Sequence, residues 1–204
     1  GVTPTGSELQ QRLAHGNEPQ IKNVAEIIQR IRPDILLINE FDYIADTKQG
    51  VDNFLKHYLM QPQAGQKPIK YDNYYLGPVN TGVPTGVDLN GDGNVAGVPD
   101  VYGFGHYPGQ YGMLVLSRFP IVQNEVRTFQ KFLWKDMPNN LLGEIKKTDG
   151  KPYYSQGAQN ILRLSSKSHW DIPVKLGNRI VRVLASHPTP PVFDGPEDRN
   201  CKRN

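Results

Sequence analysis

Apolar residues recur at helical spacing in two stretches of this chain and crowd into short runs elsewhere. Ile21, Val24, Ala25, Ile28 and Ile31 fall on one face of a helix. Asn17 reads as its N-cap, with Pro19 in the first turn and Gln20 three residues after the cap. Arg32-Pro33 ends it, because the residue before a proline avoids helical angles. Val51, Phe54, Leu55, Tyr58 and Leu59 predict a second amphipathic helix. Between the two lies Ile35-Leu36-Leu37-Ile38, apolar on both faces and so expected as a central strand covered on both sides. Residues 1–16 read as a polar, mobile lead-in.

Further along, residues 71–76 predict a strand, and 111–116 and 121–129 a pair of strands joined by Ser117-Arg118-Phe119-Pro120. Gly77 to Gln110 is dense in Gly, Pro, Asp and Asn; a segment that long without periodicity is functional, ligand-ordered or disordered. Residues 130–158 read as irregular. A strand region starts at Ile161 and reaches Val174. Leu176-Gly177-Asn178 is a hairpin turn, and Arg179 to Ser186 alternates as a strand. No internal repeat or domain linker is visible, so the chain reads as a single α/β domain.

Composition changes this picture little. With 204 residues, 37% of them apolar, the chain can bury a core. Its net charge of +3 is too mild to argue for nucleic acid by bulk electrostatics. Cys201 stands alone, which excludes an internal disulfide and a cysteine zinc site. No run approaches the length of a membrane span. Gly1-Val2-Thr3-Pro4 does not resemble a leader, although a removed signal peptide leaves no trace.

Two residues carry the candidate chemistry. Glu40 closes the apolar run, at the rim where open α/β sheets place ligands. Hard divalent ions such as Mg²⁺ or Mn²⁺ take one or two carboxylates plus water and substrate phosphate. The alternative is a surface acid that stops a strand. His187 ends what reads as a buried strand and is followed by stiff prolines, so it could donate a proton or stabilise charge on a phosphate. The alternative is a histidine that caps the strand end by hydrogen bonding.

Asp88-Leu89-Asn90-Gly91-Asp92-Gly93 fits the calcium-loop pattern D-x-[DN]-x-[DN]-G, with Asp88, Asn90 and Asp92 as oxygen ligands. The twelfth position is Pro99 rather than glutamate, with Asp100 next to it. The alternative is an Asx-rich turn without metal. Structural Ca²⁺ here would favour an extracytoplasmic or secreted location.

Three motifs in series resemble the endonuclease/exonuclease/phosphatase superfamily. They are Arg32-Pro33-Asp34 with the apolar run and Asn39-Glu40, then Tyr111-Gly112-Met113 through Ser117-Arg118-Phe119-Pro120-Ile121, then Ala185-Ser186-His187-Pro188-Thr189-Pro190-Pro191. Pro108-Gly109-Gln110-Tyr111, Ser165-Ser166-Lys167-Ser168-His169-Trp170-Asp171 and Phe193-Asp194-Gly195-Pro196-Glu197-Asp198-Arg199-Asn200 resemble a bacterial, exported branch of it. The resemblance implies a two-layer β-sandwich flanked by helices, deoxyribonuclease-like, with the site at one rim. It implies a divalent-metal-dependent hydrolase of phosphate esters, a phosphodiesterase, nuclease or phosphatase. Glu40 would hold Mg²⁺ or Mn²⁺ and His187 would contact or protonate the phosphate. Lys167, His169, Arg118 and Asn204 are expected as substrate contacts, Lys167 and His169 on one face of a regular strand. Partners would be a phosphate ester, possible nucleic acid included.

The family's opening strand, which ends in a metal-binding asparagine, and its later Gly-Asp-x-Asn and Asp-His motifs find no match here. The expectation is therefore a domain lacking its first strand and C-terminal part, with activity belonging to a longer parent. The competing reading is a non-catalytic module, either a degenerate family member or a calcium-ordered extracellular binding domain. A serine hydrolase would need a G-x-S-x-G elbow, which is absent.

Overall fold

The computed structural model describes residues 6–203. The chain is α/β, with antiparallel sheets and few helices. In order it forms α1 (Glu8–Leu13), α2 (Pro19–Ile31), β1 (Ile35–Asn39) and α3 (Val51–Phe54), which runs into a π-helical turn over Leu55–Leu59. Then come β2 (Asn73–Leu76), β3 (Met113–Ser117), β4 (Arg127–Thr128), α4 (Gln156–Ile161), β5 (His169–Leu176), β6 (Arg179–Ser186) and α5 (Arg199–Arg203).

One sheet has the order β1-β3-β2 and the other β4-β5-β6. The central strand of the first is β3, buried along its whole length, and not β1. β1 is only half-buried and pairs with β3 alone among the described residues. Two-sided apolarity marks both strands equally, and only long-range pairing decides which lies inside. Leu114 and Leu116 turn to the helices, in a core with Leu13, Ala25, Ile28, Phe54 and Tyr58. Met113 and Val115 turn the other way and share a core with Trp170, Ile172 and Val174 of β5. A T-shaped contact of Tyr75 with Trp170, 4.9 Å between ring centres, joins the two sheets. A third cluster, around Trp134 and Tyr154, anchors the irregular segment between β4 and β5. Both tryptophans are therefore core residues, at 1% and 2% exposure.

Several local expectations are corrected. The stretch before residue 16 is not all mobile, because Leu13 of α1 is fully buried. The residue before α2 is Glu18, not Asn17, and no side chain caps the helix. Arg32 ends it in the left-handed conformation at φ 52°. Residues 121–129 give one bridge, Ile121 to Val174, and the short β4. The region from Ile161 opens as the end of α4, so β5 starts later than expected. β6 is largely exposed rather than buried, with Leu184 at 77%. The turn at Gly177 and Asn178 does join β5 to β6, with Gly177 at φ 59°. Asp171, buried in β5, accepts from Arg127 Nε and from Arg182 Nη1, both at 3.0 Å, and so ties the three strands of its sheet.

Candidate active site

Strand register fixes which loops meet. Asn39 pairs with Met113 and Leu76 with Leu114, so the end of β1, the start of β3 and the end of β2 share one edge of the first sheet. In the second sheet His169 pairs with Ser186, which puts the start of β5 and the end of β6 together. Asn80 joins these two edges. Fully buried, it donates from its backbone N–H to Lys167 O (2.9 Å). Its Nδ2 donates to Ser165 O (2.8 Å) and Gln130 O (2.7 Å), and its Oδ1 accepts from Arg163 (2.5 Å).

Glu40 directly follows β1. Its backbone N–H donates to Gly112 O (2.8 Å), and its φ is 66°, a left-handed conformation that side chains rarely adopt. The residue is exposed, and among the described residues nothing hydrogen-bonds to its carboxylate or lies within ion-pair distance of it. Gly112 lets the two chain segments approach: a Cβ there would lie 2.5 Å from Phe41 O. Tyr111, at φ 56°, donates its N–H to Asp42 Oδ1 (2.9 Å), and Asp42 Oδ2 accepts from Tyr107 Oη (2.6 Å). Burial raises the Tyr111 phenol pKa, and the Glu40 and Asp42 charges add to it. Glu40, Asp42 and Tyr111 also line a cleft of about 230 Å³ floored by Leu9, Leu13 and Phe54.

Lys167 and His187 face the same charges. Lys167 lies in the bend before β5, 8% exposed, with no carboxylate in ion-pair range among the described residues. Burial lowers its pKa and Arg203 lowers it further, while Glu40 pulls it up. His187 follows β6. Burial lowers its pKa first, then the Lys167 charge, against an opposing pull from Glu40. Its Nδ1 is buried with no hydrogen-bond partner. Glu40, Lys167 and His187 thus lie close enough for their charges to act on one another.

Arg203 completes the basic side. Its guanidinium donates to the carbonyls of Arg163 (2.6 Å), Leu164 (2.9 Å) and Tyr102 (2.8 Å). Burial pushes its pKa down to about 10. It thereby clamps α5 onto the segment leading to Lys167.

The remaining predicted residues go elsewhere. His169 starts β5 with its pKa lowered by burial alone, and no charge of the rim group acts on it. Lys167 precedes the strand, so the alternation expected to align the two does not apply. Arg118 bonds Asp34 Oδ1 at 3.1 Å, at the far end of β1 and β3, about 20 Å of strand away from Glu40. Asn204 lies outside the described residues. In the acidic loop Asp88 Oδ1 accepts from Gly91 N–H (2.6 Å), Asp88 Oδ2 from Gly93 N–H (2.8 Å) and Asp92 Oδ1 from Asn94 N–H (2.8 Å). Asn90 Oδ1 accepts from Asp92 N–H (3.1 Å). Asp100 is buried; its Oδ1 accepts from Leu89 N–H of the loop (2.8 Å), and its Oδ2 is buried with no hydrogen-bond partner among the described residues. Among the described residues no group of three or more His, Cys, Asp or Glu is arranged to hold a metal.

Asn80, Arg203 and Asp42 were not singled out from sequence. An asparagine in a Gly-rich loop and an arginine in a basic tail carry no signal; their roles come from contacts across 85 and 101 positions.

No helix among the described residues is long and apolar enough to cross a membrane. Comparison with curated proteins and with solved structures finds no match. The family model described as Endonuclease/Exonuclease/phosphatase family matches residues 9–200, which takes in Glu40, Lys167 and His187. The chain belongs to the endonuclease/exonuclease/phosphatase family.

Proposed function

We propose that this rim grips the phosphate of an ester for divalent-metal-dependent hydrolysis. Membership of the family implies hydrolysis of phosphate esters. The observation that carries the finer reading is the shared electrostatics of Glu40, Lys167 and His187. Glu40 fits a Mg²⁺ or Mn²⁺ ion, because its carboxylate is exposed and unengaged and such ions require only one or two carboxylates. When bound, the ion supplies stabilisation of negative charge on the phosphate oxygens.

The chain's own residues do the rest. Lys167 places an ammonium group at the rim with no carboxylate within ion-pair distance among the described residues. His187, its pKa depressed, is neutral at pH 7 and can hydrogen-bond a phosphate oxygen or hold a proton there. The deoxyribonuclease-like two-layer sandwich belongs to this reading, supported by the core that Met113 and Val115 share with Trp170 and Ile172. The test is hydrolysis of bis-p-nitrophenyl phosphate by the full-length parent protein with Mg²⁺ or Mn²⁺. Turnover that requires the ion and Glu40 supports the reading; undiminished turnover in Glu40→Gln overturns it.

A second reading is a family member that binds phosphate esters without cutting them. It draws on the lack, among the described residues, of any group of three or more His, Cys, Asp or Glu placed to hold a metal. Binding of phosphate with no ion-dependent turnover would favour it.

A further inference from the structure

An exposed aromatic ring is normally mobile, and a loop tip rich in glycine even more so. Phe104 breaks this expectation. Its ring is 61% exposed, yet the glycines on either side of it are buried. A Cβ on Gly103 would collide with Ser166 O, and one on Gly105 would come within 2.8 Å of Gly82 N. Gly82 N–H in turn donates to Gly103 O (2.9 Å), and Arg203 donates to Tyr102 O (2.8 Å). The backbone beneath Phe104 is therefore fixed against the segment that carries Lys167.

The ring itself is ordered from below. It stacks on Tyr111 with centroids 6.2 Å apart and planes 16° from parallel. His106 packs against it in a T-shaped contact, centroids 5.6 Å apart and planes at 76°. Tyr111 feels the Glu40 charge and is pinned by Asp42. The stacked pair thus spans from the Lys167 side of the rim to the Glu40 side. What sets Phe104 apart from the other exposed apolar side chains is its stacking on Tyr111 and its fixed backbone beside the Lys167 segment.

We propose that Phe104, backed by Tyr111, is a stacking platform for a planar ring carried by the substrate, so that the site favours phosphate esters of ring-bearing alcohols such as nucleosides. A ring held on a fixed loop needs no ordering when the ligand arrives, which keeps the cost of binding low. This inference rests on the phosphate-grip reading above, and binding separates the two.

The experiment measures dissociation constants of the full chain, with Mg²⁺ present, for adenosine 5′-monophosphate, ribose 5-phosphate and adenosine. The nucleotide should bind about tenfold more tightly than the sugar phosphate, the range expected for one stacked base. Phe104→Ala should reduce that preference to about twofold or less, leaving ribose 5-phosphate affinity unchanged as the control for folding, and Phe104→Trp should restore it. Equal affinity for nucleotide and sugar phosphate in the parent chain, or an unaltered preference in Phe104→Ala, overturns the platform and leaves the phosphate grip standing. Adenosine binding as tightly as its monophosphate keeps the platform and overturns the grip. Binding of none of the three overturns both.

Discussion

Two turns in this molecule present acids, and they are built in opposite ways. In the turn after β1 a glutamate occupies a left-handed position, φ 66°, and its carboxylate is left unengaged. In the loop from Asp88 to Asn94 the left-handed positions are glycines, Gly91 at φ 80° and Gly93 at φ 88°, and the acid oxygens accept from the loop's own N–H groups. The second turn is relaxed and self-satisfied, and it matches a metal-loop pattern. The first carries strain and an available charge. Strain kept where glycine would relieve it points to a side chain whose position matters.

The sharpest way to break this comparison is to neutralise each acid in turn. Glu40→Gln keeps the size and removes the charge. It should lower ion-dependent hydrolysis of bis-p-nitrophenyl phosphate by about 10³-fold, the scale for loss of one electrostatic contact to a transition state. Asp88→Asn should leave the rate within about twofold, as for a surface change remote from chemistry. Equal losses would remove the distinction between the two turns.

Next in size is the residue that holds the rim together. Asn80→Ala removes the side-chain partner of Gln130 O and Arg163 Nη1 and leaves Ser165 O with only the longer contact from Arg203 (3.3 Å). A cost of about 3 kcal/mol in denaturant unfolding follows, since each orphaned group loses its desolvation compensation. No comparable loss is expected from Asn90→Ala in the exposed acidic loop.

How much of this was readable from sequence divides along the same line. Helical spacing at Ile21 to Ile31, the hairpin at Gly177 and the tips bearing Glu40 and His187 depend on local patterning, and the structure has them where the pattern lies. What escaped depends on pairing. β1 and β3 are equally apolar, and only the sheet order makes β3 central. The acidic loop lies where its pattern does, and the pattern alone does not show that its oxygens also accept from the loop's own N–H groups. Asn80 joins segments 85 positions apart, and no local periodicity encodes that.

A smaller effect isolates the strain. Glu40→Gly and Glu40→Ala both remove the carboxylate, so both should lose activity alike. In stability they should differ by about 1 kcal/mol in favour of glycine, because only alanine has a Cβ to crowd in the left-handed region. The acidic loop follows the same rule from the other side: Gly93→Ala should cost about 1 kcal/mol. Thermal or denaturant unfolding of the three variants decides it, and a Glu40→Ala protein as stable as Glu40→Gly would remove the argument from strain.

The gentlest test is acid itself, because the two regions titrate in different windows. Burial lowers the pKa of both His187 and His169 from the ordinary 6.5, so the folded chain holds these protons less tightly than the unfolded chain does. Below pH 6.5 the unfolded state takes up protons that the folded state refuses, so stability is full above that pH and falls as acid is added, until the folded pKa values are passed. Asp92 behaves differently. Its pKa is held below the ordinary 3.8 by the Asn90 side chain and then by the Asn94 N–H. Its contribution is present above pH 3.8 and is lost only as the pH falls through the lower, folded value. Acid unfolding should therefore show a first decline beginning near pH 6.5, and His187→Asn should shrink that decline while leaving the behaviour below pH 4 unchanged. A first decline of the same size in His187→Asn would mean that the rim histidine is not desolvated, and with it would go the picture of a dry, anion-ready site beside Lys167.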